Sequence, residues 1–123
     1  MGANIIGIGT DIENIDRFLS MQQPKNNSIL KKIFSKKELD YCFSKKNSAQ
    51  HLATRFAAKE AITKALEKFN IRSISYNWIE ILNKENGAPI VKIHKPNFDD
   101  LQVYISLSHC NNRALAFAIV AEK

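Results

Sequence analysis

The sequence predicts an α+β domain in which an N-terminal strand and helices, one of them long and central, pack on C-terminal antiparallel β-hairpins. Three observations predict it. The stretch from Ser48 to Phe69 is rich in Ala, Leu, Lys, Glu and Arg and holds no Gly or Pro, which reads as one long helix with Ser48 at its N-cap. Beyond it, Tyr76–Leu82, Pro89–His94, Val103–Ser108 and Ala114–Glu122 carry the β-branched and aromatic residues of strands. Asn86-Gly87 and Cys110-Asn111-Asn112-Arg113 separate them as hairpin turns. At 123 residues the chain is a single domain, 1–123, with room for one real core.

The elements follow in order. Asn4 to Glu13 is apolar and β-branched and reads as a first strand. Gly7 and Gly9 fall on one face of it, leaving that face bare for another element to approach. Asp11 and Glu13 are also two apart. If the strand stays extended through Glu13, both carboxylates leave one face, an arrangement suited to a hard cation. Alternatively Asp11 caps the next helix and Glu13 lies in its first turn. Glu13–Met21 is a short helical stretch with Ile15, Phe18 and Leu19 inward and Arg17 outward. Gln22–Asn27 is a polar break containing Pro24, and Ser28–Phe34 another turn or two of helix. Ser35-Lys36-Lys37-Glu38 forms a capping box that opens a helix through Ser44. Asn97–Leu101 is a turn or short helix. No internal repeat or low-complexity tract is present.

Composition bounds the function classes. A content of 45% hydrophobic and 24% charged residues is that of an ordinary globular protein. The net charge of +6, from 18 basic and 12 acidic side chains, favours a polyanionic partner without choosing one. Lysines 25, 31, 32, 36, 37, 45 and 46 concentrate that charge in the first half, as a solvated surface or as a docking surface for an acidic protein. Cys42 and Cys110 lack CxxC spacing and read as reduced thiols. The longest apolar run, Ala114–Ala121, has eight residues, too few to span a bilayer. Met1-Gly2-Ala3-Asn4 carries no secretory or myristoylation signal, so a cytoplasmic protein without stable membrane association is expected.

Two features point to chemistry. On a helical projection Glu60 lies between the directions of Phe56 and Ala53, and Lys64 points close to Ala57, so an acid and a base one turn apart share a sector with apolar neighbours. That placement costs energy unless other groups pair with the charges. Ser106-Leu107-Ser108-His109 brings two hydroxyls and an imidazole to the edge of a hairpin, a combination that can hold a phosphate or simply be a surface turn. Ser108 and His109 have no third acid nearby in sequence to make a hydrolase triad.

Gly7-Ile8-Gly9-Thr10-Asp11-Ile12, Phe34-Ser35-Lys36-Lys37-Glu38-Leu39, Arg55-Phe56-Ala57-Ala58-Lys59-Glu60-Ala61 with Lys64, and Ser106-Leu107-Ser108-His109 occur together in one family and in this order. The chain closely resembles the bacterial holo-acyl-carrier-protein synthases, the small class of 4′-phosphopantetheinyl transferases. The resemblance spans nearly the whole chain. It implies transfer of phosphopantetheine from coenzyme A to a serine of an acyl carrier protein, in support of fatty acid synthesis, with release of adenosine 3′,5′-bisphosphate. It further implies that Asp11 and Glu60 bind Mg²⁺ and that Lys64 assists catalysis. Arg55, Lys64, Ser108 and His109 would line the coenzyme A site, and Arg17 would meet the carrier protein. Glu13 departs from most of the small class and matches the second acid of the Asp-x-Glu pair in the larger class, a third possible metal ligand. The family also implies a homotrimer with active sites between subunits, Asp11 and Glu60 from one chain and His109 from its neighbour.

A basic nucleic-acid-binding module without catalysis is the rival reading. It accounts for the charge, but it leaves the carboxylates beside a Gly-rich strand without purpose and lacks the aromatic-plus-basic strand signature of the common RNA folds. A second alternative makes Glu60–Lys64 a surface ion pair contributing a few tenths of a kcal/mol.

Overall fold

The computed structural model describes residues 4–21, 28–67 and 74–123. In chain order these form β1 (Asn4–Asn14), a 3₁₀ turn over Ile15–Met21, α1 (Ser28–Ile33), α2 (Lys36–Phe43) and α3 (Ser48–Glu67). A 3₁₀ turn over Tyr76–Trp78 leads into β2 (Ile79–Asn83) and β3 (Pro89–Ile93). A third such turn, Pro96–Phe98, precedes β4 (Leu101–Cys110) and β5 (Arg113–Glu122). The α+β architecture is the one expected from sequence. The Pro24 break, the lysine at position 25, the segment at Met1–Ala3 and the expected last residues of the long helix, Lys68 and Phe69, lie outside the described residues.

The chain's two ends meet in one sheet of order β1-β5-β4, antiparallel throughout. Asn4 pairs with Glu122 and Asn14 with Arg113, with one irregularity between Ile5 and Gly7. β2 and β3 make a separate two-stranded sheet. Gly87 and Asn111 take left-handed backbone, φ 88° and 54°, in the two hairpin turns.

Helix α3 lies directly on β1 and β5. A Cβ added to Gly7 would overlap the carbonyl oxygen of Ala65, and one added to Gly9 the carbonyl oxygen of Ala61. Ala57, Ala58, Ala61 and Ala65 on the helix meet Ala116 and Ala118 on the sheet, all fully buried. Small residues on both surfaces let backbone touch backbone. Because side chains alternate along a strand, Asp11 and Glu13 continue the Gly7–Gly9 face and turn toward the helix. β1 stays extended through Glu13, so the helix-cap alternative for Asp11 is set aside.

Several expectations are corrected. Leu19 is half exposed; Ile15 and Phe18 are the residues of that turn that enter the core with Leu30, Phe34, Leu52 and Phe56. Tyr76–Trp78 is a 3₁₀ turn, and the strand begins at Ile79, because Tyr76 is turned to face α3 rather than a neighbouring strand. The cap of α3 is Asn47, not Ser48: its Oδ1 accepts from the Gln50 amide at 3.4 Å and its Nδ2 donates to Gln50 Oε1 at 3.2 Å. The capping box at α2 forms as expected, Ser35 N donating to Glu38 Oε1 and Glu38 N to Ser35 Oγ. Glu38 is also fully buried, in a 2.7 Å ion pair with the equally buried Lys59. Among the described residues, no helix is long and apolar enough to cross a membrane.

Candidate active site

Where α3 crosses the end of β1, a cleft of about 510 Å³ opens. Asp11 and Glu13 come to it from β1, Glu60 and Lys64 from α3, Arg17 from the turn after β1 and Tyr76 from the turn before β2. Phe18, Met21, Ile29, Ile33 and Phe56 give it an apolar wall. One side is thus charged and the other greasy, a surface that suits an amphipathic ligand.

Each acid has its own partner. Lys64 Nζ donates to Asp11 Oδ1 at 3.1 Å and to the Thr10 carbonyl at 3.0 Å. Arg17 donates to Glu13 Oε1 at 3.1 Å while its guanidinium lies 5.4 Å from the centre of the Phe56 ring. The Tyr76 hydroxyl donates to Glu60 Oε1. Glu60, placed among apolar neighbours, is therefore answered by a neutral donor from outside its own helix, while the cleft's two cations bind its other acids.

Positive charge is nevertheless short. Asp11 Oδ2 is buried and has no donor on it. The Glu13 carboxyl is pushed up to about 7, chiefly by burial, then by its hydrogen bond and charge repulsion with Asp11, against the pull of Arg17; Glu60 adds to the rise. Burial, the bond to Glu60 and the same three carboxylates push the Tyr76 hydroxyl up to about 12, so it stays a donor at neutral pH. An orphaned carboxylate oxygen and a carboxyl raised in part by its acidic neighbours both mark a surplus of negative charge, which a hard divalent cation, whose preferred donors are carboxylate oxygens, would relieve. Among the described residues, no group of three His, Cys, Asp or Glu side chains closes into a metal cage.

The structure does not bring all the expected site residues together in one chain. Arg55 is buried on another flank of α3. Its guanidinium stacks 4.2 Å above Tyr41, one nitrogen donates to Asn83 Oδ1, and Nε has no acceptor. It lines a second cleft of about 420 Å³ with Lys37, Tyr41 and Lys84. Ser108 and His109 are exposed at the end of β4 and line neither cleft. His109 shares a sheet row with Glu13 through Ala114, two strand spacings or about 10 Å away. Ala114 is buried under the first half of α3, and the charge of His109 falls on His51 beyond it. His51 lies about 180° around the helix from Glu60. The Arg55–His109 group and the Glu60 cleft thus occupy opposite sides of α3.

Sequence reasoning missed Tyr76 and Lys59. Tyr76 reads as one more strand aromatic, and nothing in its spacing places its hydroxyl on a residue sixteen positions earlier.

A family model of the 4′-phosphopantetheinyl transferase superfamily matches residues 7–118. The holo-[acyl-carrier-protein] synthase of Protochlamydia amoebophila is 42% identical over 117 residues, covering 93% of this chain and 96% of that protein. The holo-[acyl-carrier-protein] synthase of Clostridium perfringens is 40% identical over 126 residues, covering 94% and 93%. Among solved structures, a holo-(acyl-carrier-protein) synthase from Bacillus anthracis in complex with coenzyme A (3′,5′-ADP) superposes with a TM-score of 0.81 at 28% identity, covering 98% of this chain and all of that one. With the family model spanning almost the whole chain and both glycines, both acids and the long helix inside it, this chain belongs to the 4′-phosphopantetheinyl transferase superfamily.

Proposed function

We propose that the protein transfers the 4′-phosphopantetheine group of coenzyme A to a serine of an apo-acyl carrier protein, releasing adenosine 3′,5′-bisphosphate. The observation that carries this reading is the cleft at the β1–α3 crossing, where Asp11, Glu60 and Lys64 converge in a chain 42% identical to a holo-[acyl-carrier-protein] synthase.

The reaction breaks coenzyme A's pyrophosphate and joins its phosphopantetheine half to the serine oxygen. Positioning and charge neutralisation supply most of the catalysis in phosphoryl transfer. Lys64, half exposed at the mouth of the cleft, is placed to exchange Asp11 for a phosphate oxygen. Asp11 Oδ2 and the second oxygen of Glu60 would hold Mg²⁺, and Glu13 shares their cleft without completing a group of three with them. The ion would neutralise pyrophosphate charge and stabilise the leaving bisphosphate. An incomplete protein cage agrees with an ion that keeps waters and takes phosphate oxygens. Glu60 is held by a neutral donor rather than by a cation, which leaves its second oxygen open to the cleft. The apolar wall of Phe18, Ile33 and Phe56 suits the pantetheine arm, and exposed Arg17 with Lys31, Lys32, Lys36 and Lys37 suits an acidic carrier protein.

Arg55 and His109 lie across α3 from this cleft, and Ser108, paired with Leu115, falls on the outer face of the sheet, which supports an active site shared between chains. The outer face of the β1-β5-β4 sheet carries Ile8, Ile12, Tyr104, Leu115 and Phe117, all exposed. So large an apolar face on one chain fits burial in an oligomer. A homotrimer would let His109 and Ser108 of one subunit bind the coenzyme A whose pyrophosphate sits at its neighbour's Asp11 and Glu60.

The deciding experiment incubates the protein with coenzyme A, MgCl₂ and apo-acyl carrier protein and measures carrier mass. A phosphopantetheine adduct on wild-type carrier, absent on a serine-to-alanine carrier, is expected. No adduct with any carrier overturns the assignment.

A further inference from the structure

The buried Lys59–Glu38 pair stands outside the cleft yet reaches it through Tyr76. Lys59 Nζ, with no solvent exposure, donates to Glu38 Oε1 at 2.7 Å, to the Ile33 carbonyl at 2.7 Å and to the Tyr76 carbonyl at 3.0 Å. Those three bonds use all three ammonium protons. Glu38 in turn takes the amides of Ser35 and Ile81, at 2.9 and 3.0 Å. One ammonium therefore ties the end of α1, the start of α2 and the turn before β2 to the middle of α3. So costly a burial of charge is tolerated only when the ions are well hydrogen-bonded, and here all three ammonium protons and both carboxylate oxygens have partners.

Tyr76 receives the outcome of that network. Lys59 fixes its backbone, its ring packs 5.6 Å from that of Phe56, and its hydroxyl donates to Glu60 Oε1. Lys59 and Glu60 are consecutive, so two neighbouring residues of α3 grip opposite ends of one tyrosine. The other donors in the cleft, Lys64 and Arg17, are charged and about half exposed, and they are free to move to phosphate when ligand enters. Tyr76 is neutral, anchored and directed at one oxygen only, which leaves Glu60 Oε2 for the cleft.

Resting on the function proposed above, we propose that Tyr76 is a positioning residue that holds the Glu60 carboxylate in the orientation that receives a divalent cation. Partners that orient a metal-binding carboxylate typically change metal affinity or activity by about 10- to 100-fold when removed.

Tyr76→Phe keeps the ring against Phe56 and removes only the hydroxyl. MgCl₂ alone, without coenzyme A, is titrated into the full chain by calorimetry. In parallel the transfer rate is measured against MgCl₂ at fixed carrier, and thermal melting checks the fold. The variant is expected to melt within a few degrees of wild type, with its half-saturating Mg²⁺ raised about tenfold or more in both titrations and KM for carrier protein unchanged. A second, spectroscopic readout is the ring-carbon NMR signal of Tyr76, expected to shift on adding MgCl₂ to wild type and not to Glu60→Gln. Unchanged half-saturation in Tyr76→Phe overturns the inference. If wild type transfers no phosphopantetheine, the functional reading fails instead, and the calorimetry still decides whether Tyr76 governs cation binding at Glu60.

Discussion

Lys64 crosses from α3 to β1, its ammonium 3.1 Å from Asp11 Oδ1 and 3.0 Å from the Thr10 carbonyl oxygen. This one side chain joins the two elements that supply the cleft's acids. Its exposure of 49% means that the pair contributes little to stability. Lys64→Met should therefore melt close to wild type while lowering kcat/KM for coenzyme A by about 10²-fold or more, the usual cost of removing a preorganised charge stabiliser. A loss under about threefold would remove Lys64 from the reaction.

The contact that builds the cleft is testable by itself. A methyl group on Gly9 would meet the Ala61 carbonyl oxygen, which is main chain and cannot rotate away. Gly9→Ala should cost about 3 kcal/mol or more, because helix and strand must separate. Adding Ala61→Gly should not restore stability, since the obstruction is backbone. Recovery of the melting temperature in that double variant would show that side-chain crowding, not backbone contact, sets the spacing.

Much of this was legible in the sequence. Gly7 and Gly9 two apart announced a bare strand face, and Asp11 and Glu13 two further on announced carboxylates on it, because strand periodicity is strict. The capping box at Ser35 and Glu38 was equally readable, being local. What escaped was whatever depends on distant chain. The N-terminal strand pairs with the C-terminal one, about a hundred residues away in sequence. Glu38 looked like a cap and is also the partner of a buried lysine on α3. Tyr76 looked like a strand residue because its aromatic neighbours are strand-like; its conformation is decided by the Lys59 ammonium on its carbonyl.

The join between α2 and the β2–β3 sheet carries a pH dependence. Burial alone would raise the Glu80 carboxyl, but hydrogen bonds from Ser35 and the His94 ring, with the charges of His94 and Lys37, outweigh it and hold it below its ordinary value of 4.5. A carboxyl depressed in the folded state stabilises above its unfolded pKa and loses that stabilisation as pH falls through the folded one. Urea midpoints should thus decline below pH 4.5 in wild type, and Glu80→Gln should flatten that part of the curve. Parallel acid limbs for the two proteins would refute the link.

Arg17 is exposed in the lining of the cleft, and the lysines at 31, 32, 36 and 37 are exposed on α1 and α2, a basic surface toward which an acidic carrier protein would be steered. Rim charges act mainly on association rate and are screened by salt. KM for the carrier should rise several-fold between about 50 and 300 mM NaCl, where the Debye length shrinks well below 15 Å, while KM for coenzyme A changes less. Arg17→Ala should weaken that salt dependence. A carrier KM indifferent to salt would place docking elsewhere.

Sharing of the site between chains has a test that oligomer size alone does not provide. Glu60 and His109 lie on opposite sides of α3, so in a closed ring the Glu60 of one subunit would work with the His109 of the next. Glu60→Gln and His109→Ala chains are each expected to be nearly inactive alone. Mixed under exchange conditions, about a quarter of the sites in random trimers pair an intact Glu60 with an intact neighbouring His109, so activity should return toward a quarter of wild type. Were both residues to act within one chain, every site would keep a defect and no activity would return. Phe117→Asp, on the apolar sheet face, should abolish the rescue by holding the protein at a single 14.0 kDa chain in sedimentation.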